Sequence, residues 1–494
     1  MEECEKELLH LTGEIQSFGA FLRVEQATLS VTHVSQNIHE FIDATASELL
    51  GETLDNLYWF PADAITELGQ YTGNRLTVSV NGKSDRLLSA QVIRCEGGFH
   101  LELEESRYGV CGYLSQDPGA DVIKLFKEDC QETEYFNRFV AIIGDALPFE
   151  RTMLYRFQAD WGGEVVAEYC KTEKPCYLGL KFPASDIPEI ARRLYFENSS
   201  RLIADASYEP VSIVSVSNNP PDLTHSDLRS VSPVHLRYLT NMGVKSSFSI
   251  ALILGGQLWG IVSCHHPLTV KLASEQRRSA EQAVKTFCTA YSGYLAGKRL
   301  SWLKAADARL ANLRLTLLST EKHNYSHVLT ESVYNLFDCE GVFVSLAKQV
   351  SWFGPDEDRT WLRGLEQCVS SLTGQHVFST DDIRSHSFLD SSASWPFRGA
   401  LVMKEKYERD SLRIVVLRKP EKQTTSWAGN PDKSLLKRDE SGVLTPRASF
   451  QKWSETSGER SIPWQQQDIL LARKLRAMLI TLSKTVSRLE SGRL

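Results

Sequence analysis

Residues 246–254 and 257–265 are two apolar runs on either side of Gly255-Gly256, and a two-residue glycine loop of this kind closes a tight antiparallel hairpin. Residues two apart in a strand share a face. Ser247 and Ser249 are therefore expected to point together, with Phe248, Ile250, Leu252 and Leu254 on the opposite, core-facing side. A chain carrying this hairpin must build at least one sheet with a polar stripe facing away from its core.

A second constraint lies upstream in Lys181-Phe182-Pro183-Ala184-Ser185-Asp186-Ile187-Pro188. Each proline fixes φ and pushes its predecessor toward extended geometry, so this stretch is rigid and non-helical and displays Asp186. Residues 190–203, free of Pro and Gly, are predicted to form a helix that carries Tyr195 and Arg201 toward one site.

Length and charge bound the rest. The 494 residues suit roughly three domains of ordinary size. With 62 acidic against 55 basic residues, a net charge of -7, there is no basic excess for a phosphate backbone, so nucleic acid is not expected as a partner. No apolar run has membrane-spanning length and no signal peptide pattern opens the chain, which predicts a cytoplasmic protein and no membrane partner. The ten cysteines lack Cys-x-x-Cys pairing and read mostly as free core thiols, with no metal site. Cys4 differs in lying on a polar terminus between acidic residues.

Residues 1–110 alternate short apolar runs with turn signals at Asn81-Gly82 and Gly97-Gly98, as in a small sheet with helices on one face. Residues 120–270 again mix strands and helices. Between Leu268 and Asn335 there is no proline, and Ala280, Ala283, Val284, Phe287, Tyr291, Tyr294 and Leu295 recur at helical spacing, predicting a long connecting helix weakened locally at Gly293 and Gly297. A third mixed block starts near Glu321. Within it, residues 418–464 are polar, poor in aliphatics, yet hold Trp427, Phe450, Trp453 and Trp464. From Gln465 onward, Leu471, Leu475, Met478, Leu482, Val486 and Leu489 approximate a heptad seam. Such a seam serves parallel helix pairing in a homodimer, or, for its first half, packing of one amphipathic helix on its own domain.

Taken with Cys4 ahead of His10-Leu11-Thr12-Gly13, Leu228-Arg229-Ser230-Val231-Ser232-Pro233-Val234-His235 with Tyr238, Asn241-Met242-Gly243, 260–265, Trp427-Ala428-Gly429, Pro446-Arg447-Ala448-Ser449-Phe450 and Trp453-Ser454-Glu455, the chain resembles the bacteriophytochromes, red and far-red photoreceptors that bind biliverdin. The resemblance implies an α+β fold of three mixed domains joined by long helices: a PAS domain over 1–115 with the chromophore-attachment segment, a GAF bilin-binding domain over 116–300, and a PHY domain over 301–494. The last would carry a hairpin-like tongue, 418–464, and a signalling helix, 465–494. The amino-terminal motif departs from the family, with Ser17-Phe18 where Pro-His is usual.

By the same resemblance, biliverdin IX alpha would be held as a thioether on Cys4, since the position used by plant-type phytochromes is Val234 here. Arg201 and Arg229 would fork onto its propionates, helped by Ser247 and Ser249. His235 would lie near the pyrrole nitrogens and tune their protonation, exchanging protons near neutrality. His265 would lie near the ring D carbonyl, and Asp186 with Ile187 beside the pyrroles. Tyr155, Phe182, Tyr195 and Tyr238 would cage ring D. Light would isomerise the bond before ring D, alter a pairing of Asp186 with Arg447, and refold the tongue, in which Trp427, Pro446, Arg447, Ser449, Trp453 and Glu455 form the switch. The signal would pass to an output domain outside this chain, a histidine kinase or diguanylate cyclase; no catalytic residues are expected here.

Two other readings compete. One is a tandem GAF-type sensor of a small ligand such as a cyclic nucleotide, without a light response. The other is a Cys-His hydrolase using Cys264 beside His265 or His266, which is disfavoured because Cys264 and His265, adjacent on a strand, point to opposite faces and nothing supplies an orienting acid.

Overall fold

The computed structural model describes residues 8–106, 118–126, 130–173, 175–217, 219–346, 349–355, 361–371, 376–385, 396–407, 410–431, 449–458 and 460–490. They form two compact units, Met1–Tyr294 with Ser426–Trp453 and Leu295–Thr425 with Ser454–Leu494. Both mix helices with largely antiparallel sheet, the α+β architecture expected.

The first unit holds strands β1 (Glu14–Ile15), β2 (Gly19–Glu25), β3 (Val31–Ser35), β4 (Arg75–Asn81), β5 (Leu87–Cys95) and β6 (Gly98–Glu105), followed by β7 (Arg151–Phe157), β8 (Gly163–Cys170), β9 (Lys181–Phe182), β10 (Ser200–Ile203), β11 (Val211–Ser215), β12 (Ser246–Leu254) and β13 (Gln257–His266). One sheet has the order β1-β11-β3-β2-β6-β5-β4. It is not purely local, because β11 comes from the second block and pairs with β1 at Ile15↔Val211. Main-chain bonds from Leu223 N to His10 O and from Gln16 N to Leu228 O stitch the chain before β2 to the same later segment. Phe18 is buried there in the large apolar core, so an apolar residue at that position packs without penalty.

The second sheet runs β10-β12-β13-β7-β8-β9 before it continues into later strands. Its hairpin is as expected: Gly255 and Gly256 take φ of 56° and 78°, Leu254 faces Gln257 across the turn, and Phe248, Ile250 and Leu252 are buried. The predicted helix over 190–203 is shorter. It spans Glu189–Glu197 and ends at Asn198, and β10 follows, with Ser200 to Ile203 pairing onto Ile250 to Ser247 of β12. Asn198, Ser199 and Ser200 compete for backbone hydrogen bonds and weaken the helix, while Leu202 and Ile203 gain burial as strand residues.

The long helix is present as Ser274–Ser319, 46 residues. It runs unbroken through Gly293 and Gly297, where an added Cβ would meet nothing within 4 Å. Leu295, expected on its apolar face, is exposed.

In the second unit, β14 (Gly341–Leu346), β15 (Gln349–Phe353), β16 (Val377–Thr380), β17 (Gly399–Tyr407) and β18 (Asp410–Arg418) form a sheet of order β15-β14-β18-β17-β16. The Gln466–Glu490 helix buries Leu471, Leu475, Leu479 and Leu482 in one core with Leu401, Met403 and Ile414. The first half of the expected seam is thus used on its own domain, and the side chains of Val486 and Leu489 lie outside the described residues. Two further strands, β19 (Gln423–Ala428) and β20 (Lys452–Ser457), fall within the stretch 418–464 expected to form the tongue. Among the described residues no helix is long and apolar enough to cross a membrane, and Cys95, Cys264 and Cys288 are buried free thiols.

Candidate ligand-binding site

A cavity of about 560 Å³ opens on the second sheet of the first unit, within the range of small-molecule sites. It is lined by Tyr155, Phe182, Asp186, Ile187, Tyr195, Arg201, Arg229, His235, Tyr238, Ser247, Ser249 and His265. Twelve of the thirteen residues singled out for ligand contact therefore meet in one place. The remaining one, Cys4, lies outside the described residues, as do Pro446 and Arg447.

The floor is the polar face of the hairpin. Ser247 faces His265 and Ser249 faces Ser263 across β12 and β13, and Tyr195 on the Glu189–Glu197 helix shares a hydrogen bond of 2.8 Å with Ser249 Oγ. The proline-bounded stretch supplies one wall: Asp186 N donates to Pro183 O at 3.0 Å, and Arg192 Nη1 donates to Ile187 O at 2.5 Å. The Pro233–Asn241 helix supplies another, started by Pro233 at its first position, where a missing N–H costs nothing. His235 and Tyr238 project from this helix with ring centroids 5.9 Å apart and planes at 11°.

Burial sets the electrostatics. It pushes His235 down to about 4, aided by Arg201, and pushes His265 down to about 3, aided by Arg151 and His235. Both rings are neutral near pH 7, which corrects the expectation of proton exchange near neutrality at His235. Burial and then the neighbouring Arg201 push the Arg229 guanidinium down to about 9, and its Nη1 has no hydrogen-bond partner among the described residues. Arg201 differs: its guanidinium donates to the main-chain oxygens of Ser226, Asp227, Arg229 and Ser230. Two desolvated cations side by side, one with an unused donor, call for an anion.

On the other side, Trp427 pairs in parallel with Lys181 and lines the cavity. Ala428 and Phe450 are buried with Tyr155 and Phe182. Ser449 and Glu455 are exposed and Trp453 is half-buried.

Sequence reasoning overlooked Ser263, whose Oγ lies 3.0 Å from His265 Nε2; its two-residue offset from His265 on one strand face was the available signal. It also overlooked Trp161, which lines the cavity, has φ of 63° and stacks under Arg192 at 4.7 Å. Gly163 is required beside it, since a Cβ there would fall 1.8 Å from the Tyr155 ring.

Comparison with known proteins is consistent from end to end. Residues 4–106 match the PAS fold family, 132–292 the GAF domain family and 310–487 the phytochrome region. This chain belongs to the phytochrome family. A bacteriophytochrome of Pseudomonas aeruginosa is 30% identical to this phytochrome over 492 residues, covering 98% of the chain and 66% of the relative. Cyanobacterial phytochrome B of Nostoc sp. is 27% identical over 511 residues, again covering 66% of the relative. The chain thus spans about two thirds of the length of these relatives. The photosensory core module of a Stigmatella aurantiaca phytochrome superposes with a TM-score of 0.80 at 27% identity, covering 98% of each chain. A bacteriophytochrome from R. palustris gives 0.82 at 25% identity, covering 98% of this phytochrome and 99% of the other chain.

Proposed function

We propose that this chain is the light-sensing module of a red/far-red photoreceptor and that its cavity holds biliverdin IX alpha, attached to Cys4 as a thioether. The observation that carries the reading is the pairing, in one cavity, of an apolar aromatic wall with buried Arg229 and half-buried Arg201, the former having an unused donor. That combination fits a long, flat, largely apolar molecule with carboxylates at one edge.

When bound, biliverdin supplies red-light absorption and isomerisation at its ring D. The chain supplies the rest. Arg229, with Arg201 behind it, holds the carboxylates, and Ser247 and Ser249 add neutral hydrogen bonds. Neutral His235 and His265 offer one donor and one acceptor each without placing further positive charge beside the arginines. Phe182, Tyr155 and Tyr238 shield the site from water, and Trp427 and Phe450 close it from the tongue side. Because Tyr238 lines the cavity and meets Phe450, and Phe182 lines it and shares an apolar core with Phe450, rearrangement of these rings would loosen the tongue, and the partner output would be a histidine kinase or diguanylate cyclase domain working as a homodimer in the cytoplasm. The domain division follows as PAS over 1–115, GAF over 116–300 and PHY over 301–494.

The test is incubation of the purified chain with biliverdin, with and without excess cyclic nucleotide, then denaturation and pigment measurement. Pigment should resist displacement by nucleotide and stay with the denatured wild type but leave Cys4→Ala. Displacement by nucleotide would favour a nucleotide sensor instead.

A further inference from the structure

Asp227 is a largely buried acid, its side chain 11% exposed, with no part in the proposed ligand contacts, and groups from several elements converge on it. Its carboxylate lies 2.7 Å from Arg75 Nη1 of β4 and 3.6 Å from Arg277 Nη2 of the Ser274–Ser319 helix. It also accepts from Gln91 Nε2 of β5 at 2.9 Å and from Asn198 Nδ2 at 3.0 Å. Its main-chain N–H donates to Glu102 at 3.2 Å. Burial alone would raise this carboxyl, but Arg75 and Arg277 outweigh it and hold it ionised, well below the usual carboxylate range.

The same residue is part of the arginine end of the cavity. Arg201 Nη1 donates to Asp227 O at 3.4 Å, and Arg229 follows two positions later on the same short segment. The Asp227 charge favours the cationic form of both arginines, although its carboxylate is taken up by Arg75, Gln91 and Asn198. It therefore offsets their mutual repulsion without occupying the unused donor of Arg229.

We propose that Asp227 is a positioning residue for the acid-binding end of the cavity: pinned by Arg75 and Arg277, it fixes the 226–230 segment that presents Arg201 and Arg229 to the ligand's carboxylates. The role rests on the biliverdin reading above. It predicts that Asp227 matters for a ligand with free carboxylates and not for one without them, a distinction that a purely structural role does not make.

The experiment compares uptake of biliverdin and of biliverdin dimethyl ester, in which both propionates are neutral, by wild type and Asp227→Asn, with thermal melting of each apoprotein. Wild type should prefer the diacid, and Asp227→Asn should lose about tenfold in diacid affinity, ~1.4 kcal/mol, while ester uptake stays within twofold. Should Asp227→Asn fail to fold, Arg75→Gln provides the same comparison, with a smaller but still diacid-selective loss. Equal loss for both pigments, or none, overturns the positioning role while leaving the biliverdin reading in place. Uptake of neither pigment by folded wild type removes both.

Discussion

Tyr238 donates its phenolic hydrogen to Asp186 Oδ2 at 2.9 Å, joining the helix that carries His235 to the proline-bounded stretch on the opposite wall of the cavity. The same ring meets Phe450 edge-on, with centroids 5.0 Å apart and planes at 86°. One side chain thus touches the cavity, the displayed carboxylate and the tongue. Tyr238→Phe keeps the ring contact and removes the hydrogen bond, so it should lower apoprotein stability by about 1 kcal/mol in denaturant titration. No change would mean that the bond is not maintained in solution.

Phe450 is buried among Tyr155, Phe182 and Ala428. Phe450→Ala should remove ~3 kcal/mol of packing, and the loss should fall on the tongue. The Gly429 amide, which donates to Gln451 O at 2.9 Å, should exchange its hydrogen faster, while amides of β14 keep their rates. Uniform acceleration throughout would show that Phe450 supports the whole fold instead.

Arg229 is desolvated beside a second cation, with one donor unused. Replacing such a group by an apolar residue of similar length commonly stabilises a protein. Arg229→Met should therefore melt higher than wild type as apoprotein and take up biliverdin at least tenfold less tightly, ~1.4 kcal/mol. A lower melting temperature together with unchanged uptake would place Arg229 in the scaffold rather than at the ligand.

His235 and His265 are held below their ordinary value, at about 4 and about 3. For a base depressed on folding, the unfolded chain binds more protons as pH falls below about 6.5, so stability is full above that pH and declines toward pH 4. The loss should be roughly 2 kcal/mol per histidine over that window. The double variant His235→Gln with His265→Gln should flatten the dependence of melting temperature on pH between 6.5 and 4.5. An unaltered slope would show that other groups, such as buried His100, carry the acid sensitivity.

The hairpin and the proline-bounded stretch were readable in advance because glycine at positive φ, proline and two-residue alternation are local constraints that tertiary context seldom overrides. Those constraints also placed Ser247 and Ser249 on one face, and the register across the hairpin brings His265 opposite Ser247. The helix predicted over 190–203 ends early because Asn198, Ser199 and Ser200 compete for backbone hydrogen bonds, and the residues after them pair with β12 as a strand. The leucine seam after Gln465 reads the same whether the helix packs on a partner or on its own sheet, and its first half proves to pack on its own sheet. Asp227 and Arg75 are 152 positions apart. Their pairing depends on how the β4 sheet meets the 226–230 segment, and no local pattern encodes that.

The most direct measurement is absorption of the biliverdin-loaded chain under alternating red and far-red light. The account predicts two bands, one in the red and one in the far-red, that interconvert reversibly through repeated cycles, with hydrogen exchange in 418–464 differing between the two illuminated states. Pigment that stays bound but shows no reversible change under either colour would contradict it.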